Sequence, residues 1–168
     1  MPKHLLLLRH AKTMPDDGSG DRLRALAERG REDAPLLGRE IAKRGYAPAL
    51  VLCSSARRTV ETLGLIRPWL QPAPDEQIEG KLYLASANEI LARAAEIPDD
   101  VPSALFIGHN PGLEEIAQHL AGEAPLSRRI GEKFPTSAFA AFESHEETWR
   151  DAIHSTWTLR DLIYPADL

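Results

Sequence analysis

Leu5-Leu6-Leu7-Leu8-Arg9-His10-Ala11-Lys12 is the stretch on which the reading of this chain turns. Four consecutive leucines without polar alternation mark a strand covered on both faces, as in a parallel sheet packed between helices. The run then stops at Arg9-His10. An arginine at the end of a buried strand needs a partner for its guanidinium, because an unpaired buried charge is costly. Phosphate fits that planar fork in a bidentate way. A second stretch, Leu105-Phe106-Ile107-Gly108-His109-Asn110-Pro111-Gly112, repeats the plan: an apolar run that ends at a histidine. Gly108 permits close backbone approach. Pro111 and Gly112 open a helix whose free N–H groups favour an anion. Two imidazoles at strand ends, with an arginine beside one, form a plausible site for passing a phosphoryl group through histidine.

The pattern between these stretches alternates strand and helix. Residues 13–21, rich in Asp, Gly and Ser, read as a loop. Residues 24–44 read as a helix with a possible break at Gly30 or Pro35, and Gly45 is a stop signal. Residues 49–53 form a second strand, and Ser54 or Ser55 can cap a helix that runs to about Ile66. Residues 71–75 are a proline-rich link. Residues 86–97 form a helix with Ser86 and Glu89 placed as a capping box. Residues 103–107 are a third central strand, followed by a helix from Pro111 to about Ala121. Residues 137–142 and 148–158 read as strands around a polar turn. The fold class expected is α/β: a three-layer α/β/α sandwich with a mostly parallel central sheet and an antiparallel edge strand. In such sheets ligands bind at the carboxyl ends of the strands, where both histidines fall.

The chain has 168 residues, 43% hydrophobic and 27% charged, which suits one soluble domain spanning 1–168 with a sizeable core. A net charge of −5 offers no general attraction to nucleic acid or an acidic membrane. No apolar run reaches the roughly 20 residues that span a bilayer, and the start lacks a signal peptide's pattern, so the cytoplasm is the expected location. Cys53 is the single cysteine, so an internal disulfide is excluded, and a buried, inert thiol is expected. His4, His119, His145 and His154 have no comparable setting and read as structural or exposed. Asp16, Asp17 and Asp21 lack calcium-loop spacing and read as a flexible acidic loop. Neither a metal nor a cofactor is expected. In Ser54-Ser55-Ala56-Arg57-Arg58-Thr59-Val60-Glu61-Thr62, one arginine can face the site while its neighbour faces solvent; spacing alone does not choose between them.

Taken together, these motifs resemble the histidine phosphatase superfamily, also called phosphoglycerate mutase-like, and within it the SixA-like phosphohistidine phosphatases. Arg9-His10-Ala11-Lys12 stands where the family usually has Arg-His-Gly. Asp21, Arg24, Leu26 and Glu28-Arg29-Gly30-Arg31 resemble the segment before the first long helix. The serine- and arginine-containing stretch resembles the second motif, Gly108 to Gly112 the second histidine motif, and Phe134-Pro135-Thr136-Ser137-Ala138 with residues 149–162 the closing strands. The resemblance implies His10 as nucleophile, with Arg9, Arg58 and His109 around the phosphoryl group, Arg24, Asn110 and Lys12 as further phosphate or substrate contacts, and Thr62 as a packing residue. It also implies a protonated His109 that adds positive charge. Larger members carry a glutamate that protonates the leaving group. Here that position falls on Tyr83, and Glu79 and Glu89 do not fit the motif. A missing acid favours an imidazole leaving group over an alcohol. The expected activity is therefore removal of phosphate from phosphohistidine on a phosphotransfer or phosphorelay protein. The alternatives are a small-molecule phosphomonoesterase and a non-catalytic phosphohistidine-binding module. The partner is a phosphorylated protein or a small phosphorylated substrate.

Overall fold

A computed structural model describes residues 1–168. One six-stranded sheet runs through the molecule. Its strands are β1 (Lys3–Arg9), β2 (Leu50–Ser54), β3 (Asp75–Glu79), β4 (Ser103–Gly108), β5 (Phe139–Ser144) and β6 (Thr158–Ile163). The helices are α1 (Glu28–Lys43), α2 (Arg57–Ile66), α3 (Ala87–Ala95), α4 (Gly112–Ala121), α5 (Ser127–Glu132) and α6 (Trp149–Ala152). The strand order is β3-β2-β4-β1-β5-β6. β3, β2, β4 and β1 pair in parallel, whereas β5 pairs antiparallel with β1 and with the edge strand β6.

The four leucines of β1 explain why there are two helical layers. Alternate side chains of a strand leave opposite faces. Leu5 and Leu7 join a core with residues of α3, α4, α5 and α6. Leu6 and Leu8 join a separate core with Ala34, Leu37 and Ile41 of α1 and Leu63 and Ile66 of α2. None of the four is more than 2% exposed. The result is the expected α/β/α sandwich.

Several local readings change. The first long helix starts at Glu28, not Arg24, because residues 21–23 form a separate 3-10 turn. It then passes through Pro35 without ending, since the buried stripe of Ala34, Leu37, Gly38 and Ile41 holds it against the sheet. The expected Ser54 or Ser55 cap is absent: Ala56 occupies the cap position with no side-chain hydrogen bond. Asp75 belongs to β3 rather than to a link. That strand is polar and exposed, so it carries no hydrophobic period, and it forms because β2 offers a free ladder edge. Residues 148–158 are not one strand. Thr148 caps the short α6 by accepting from the Asp151 N–H, and the last strand begins only at Thr158. The capping box at Ser86 and Glu89 is present, and Cys53 is fully buried.

The parallel register places the site. Arg9 pairs with Gly108, so His10 and His109 leave adjacent strands side by side. Cys53 pairs with Ile107, which brings Ser54 to the same rim. α4 then starts against the backbone of Ala85, so tightly that a Cβ on Gly112 would lie 1.9 Å from the Ala85 carbonyl oxygen. Gly112→Ala is expected to destabilise the fold by about 3 kcal/mol through overpacking against backbone. Gly131→Ala, with open space around it on α5, is expected to stabilise by about 0.5 kcal/mol. Denaturant midpoints of the two variants check the contrast.

Candidate active site

A cleft of about 370 Å³ opens at the carboxyl ends of β1, β2 and β4. Arg9, His10, Lys12, Arg24, Arg58, His109 and Asn110, all singled out from the sequence, line it. Asp21, Thr13, Leu84 and Thr136 complete the wall.

His10 is only 6% exposed. Its Nδ1–H donates to the carbonyl of Ala11 at 2.9 Å, and the Thr13 hydroxyl, which donates to the same carbonyl, sits 3.1 Å from Nδ1. A donor at Nδ1 leaves the lone pair on Nε2. Burial, with help from Arg9, His109 and Arg58, pushes its pKa down to about 3, so the ring is neutral near pH 7. α2 secures this loop: the Ala11 N–H donates to Thr62 Oγ1 at 3.0 Å, and that hydroxyl donates to the Arg58 carbonyl at 2.7 Å. Thr62 is thus a tie between the helix of Arg58 and the loop of His10.

His109 faces His10 with ring centroids 5.4 Å apart. Its Nε2 lies 2.7 Å from Ser54 Oγ. That hydroxyl is buried, accepts the Ala56 N–H and has no other acceptor for its own proton, so that proton is assigned to His109 Nε2. Nδ1 then carries the ring proton, and this atom is buried with no hydrogen-bond partner in the chain. Burial and Arg58 lower the His109 pKa to about 4. The expectation of a protonated His109 is therefore corrected: in the free site the ring is a neutral donor, because desolvation and two nearby guanidinium groups oppose a further positive charge.

The two central arginines are held differently. Arg9 Nη1 donates to the Phe134 carbonyl at 3.2 Å, and Arg58 donates from Nη1 to the Asp21 carbonyl (2.8 Å) and from Nη2 to its carboxylate (3.1 Å). The Nε–H of each is buried without a partner. Arg58 is 3% exposed, while Arg57 turns outward and pairs with Glu61. The structure thus separates the two arginines that spacing could not.

Asp21, expected in a flexible acidic loop with Asp16 and Asp17, is instead bound into the site. Its carboxylate accepts from Arg24, Arg58 and the Tyr83 hydroxyl. The Tyr83 hydrogen bond, then Arg24 and Arg58, hold its pKa down at about 2. Ser54, expected as a helix cap, instead pairs with the His109 imidazole. Arg24 reaches the cleft and is steadied by the Met14 carbonyl. Lys12 is exposed at the mouth and has no acceptor within the chain. Asn110 lines the cleft, but its amide N–H groups go to Phe134 and Glu114. Glu79 is spent on Arg93, and Glu89 on the α3 cap; both line a different cleft.

The comparisons can be set beside this geometry. No family model matches the chain. An uncharacterized protein of Mycobacterium tuberculosis is 36% identical over 137 residues, which cover 79% of this chain and 84% of the relative. Among solved structures, a protein from Nakamurella multipartitia, assigned as phosphohistidine phosphatase SixA, superposes with a TM-score of 0.84 at 25% identity, covering 98% of this chain and 97% of the other. A protein of Agrobacterium tumefaciens with the same assignment gives 0.82 at 29% identity, over 98% and 99% of the two chains. The chain belongs to the histidine phosphatase superfamily, and its phosphatase neighbours support the same class of activity for it. Its place is with the SixA-like members.

The two depressed imidazoles have a consequence for stability. Their folded pKa values, about 3 and about 4, lie below the unfolded value of about 6.5. The unfolded chain therefore binds protons that the folded one does not, and stability falls as pH drops from 6.5 towards 4. Each ring is expected to remove about 2 kcal/mol at pH 5 relative to pH 8. Urea midpoints across this range check it, and the slope should flatten in a His10→Gln, His109→Gln double variant.

Proposed function

We propose that this phosphatase removes the phosphoryl group from phosphohistidine on a phosphotransfer or phosphorelay protein, through a covalent phosphohistidine formed on His10. The observation that carries the reading is one cleft lined by His10, whose Nε2 is unprotonated, and by Arg9, Arg58 and His109, whose Nε, Nε and Nδ1 atoms have no partner in the chain. A SixA structure that shares the fold was obtained with tungstate, a tetrahedral oxyanion of phosphate's shape.

The lone pair of His10 Nε2 attacks phosphorus. The bond from phosphorus to the substrate's ring nitrogen breaks, and its electron pair stays with the leaving imidazole. Charge spreads over the phosphoryl oxygens, so catalysis consists mostly of positioning and positive charge. Arg9, Arg58 and the neutral His109 supply those donors, with Arg24 and Lys12 nearer the mouth. Water then attacks the phosphorylated His10, releasing phosphate and restoring the ring.

The substrate class follows from proton supply. Asp21 is held ionised, and the Tyr83 hydroxyl is spent on it, with its own pKa raised by that contact. No carboxylic acid is placed to protonate an alkoxide. An imidazole leaving group avoids the problem, since its second ring nitrogen takes a proton from water. Asn110, whose donors are spent internally, would support Arg9 through their shared anchor at Phe134.

Hydrolysis of phosphohistidine peptides and matched phosphoserine peptides tests the substrate. The expected preference in kcat/KM for the phosphorus–nitrogen bond is about 10²-fold or more. Preference for the esters would overturn the assignment. Arg58→Ala is expected to lower kcat by roughly 10²–10³, whereas Arg57→Ala stays within about twofold. Quenched reactions with labelled substrate are expected to leave acid-labile phosphate on the wild type and none on His10→Ala; equal labelling would exclude His10 as nucleophile.

A further inference from the structure

Beside the catalytic cleft lies a second one of about 280 Å³, and Lys12 and Thr136 belong to the walls of both. Its other polar walls come from Arg29 and Asp33 in the first turns of α1, and from Lys133 and Tyr164. The segment carrying Lys133 and Thr136 is stitched to the nucleophile's own backbone. The Phe134 carbonyl accepts from Arg9, and the Ser137 N–H donates to the carbonyls of Arg9 and His10. The second cleft is therefore fixed relative to the phosphoryl site.

Its charge is unusual for this chain. The molecule carries 25 acidic against 20 basic residues, so acceptors for surface cations are plentiful. Yet the ammonium groups of Lys12 and Lys133 have no acceptor in the chain; Lys133 is held through its backbone alone, its N–H donating to the Arg129 carbonyl and its carbonyl accepting from the Tyr164 hydroxyl. Arg29 is paired with Asp33 at 3.6 Å but is 75% exposed, so the contact is stretched and screened. Three cations thus face one carboxylate in a cleft that adjoins the reacting centre, on a protein whose net charge is −5.

We infer that this second cleft is a specificity subsite for an acidic side chain of the substrate protein, an Asp or Glu carboxylate close to the phosphohistidine. The inference rests on the phosphohistidine reading above. A protein substrate brings carboxylates as its anionic side chains, and an open cleft with flexible lysines suits a surface loop or helix rather than one rigid small molecule. Lys133 and Arg29 then act on binding of the substrate's flank and leave the phosphoryl chemistry alone. Local positive charge of this kind also speeds encounter with an acidic patch and fades with salt.

The test compares phosphohistidine peptides flanked by Glu with the same peptides flanked by Ser, alongside phosphoserine counterparts and the minimal substrate phosphoramidate. For the wild type, KM is expected to be about fivefold lower with Glu flanks at low salt, the gap closing as salt rises. An Arg29→Glu, Lys133→Glu variant is expected to erase or invert that ratio while its phosphoramidate turnover stays within about twofold of wild type, which also reports that it is folded. Equal KM for Glu- and Ser-flanked peptides in the wild type, or equal losses on both in the variant, would overturn the subsite. If only phosphoserine peptides are turned over, the phosphohistidine reading falls and the flank ratio on those peptides judges the subsite. No turnover of either series refutes both.

Discussion

Three buried N–H groups on residues that line one cleft, with no acceptor in the chain, are the constraint around which this molecule is built. A buried donor left unpaired costs about 1–3 kcal/mol. Arg9 Nε, Arg58 Nε and His109 Nδ1 are in that state. The polypeptide tolerates them because the surrounding structure leaves little room to relax. Arg58 is clamped by two contacts to Asp21, Arg9 by the Phe134 carbonyl, and His109 by the Ser54 hydroxyl. Each clamp satisfies one side of a group and leaves another nitrogen of it without a partner at the cleft wall. Such preorganisation is what a site needs if it is to stabilise charge without rearranging during the reaction.

Stability for this arrangement comes from the middle of the sheet. β1 is packed on both faces and paired on both sides, with β4 in parallel and β5 antiparallel. The strand that leads into the proposed nucleophile is therefore enclosed on every side, as are its neighbours β4 and β2. Its register with β4 sets the two imidazoles together, and the register of β4 with β2 brings Ser54 to the second of them. The same enclosure keeps both rings neutral. A neutral His10 is a nucleophile, and a neutral His109 can still donate a hydrogen bond, so desolvation serves each ring in a different way.

The parts legible in the sequence were those encoded by contiguous residues. Leu5 to Leu8 announced a strand covered on both faces, Ser86 and Glu89 a capping box, and the two strand-end histidines a common rim. Features set by distant neighbours were not legible. The strand Asp75–Glu79 carries no hydrophobic period and exists through its ladder with β2. Asp21 looks like Asp16 and Asp17 until the fold brings Arg58 and Tyr83 to it. The charge state of His109 depends on burial and on Arg58, which lies 51 residues away in sequence, so no local pattern encodes it. Ser54 was read as a helix cap because its use as a partner for an imidazole requires β2 and β4 to be adjacent.

A structure determined with orthovanadate bound tests the central claim most directly. The account predicts vanadium bonded to His10 Nε2, with oxygens accepting hydrogen bonds from Arg9 Nε, Arg58 Nε and His109 Nδ1, and Ser54 still joined to His109 Nε2. Vanadate bound away from His10, or coordinated at His10 while those three donors point elsewhere, would contradict it.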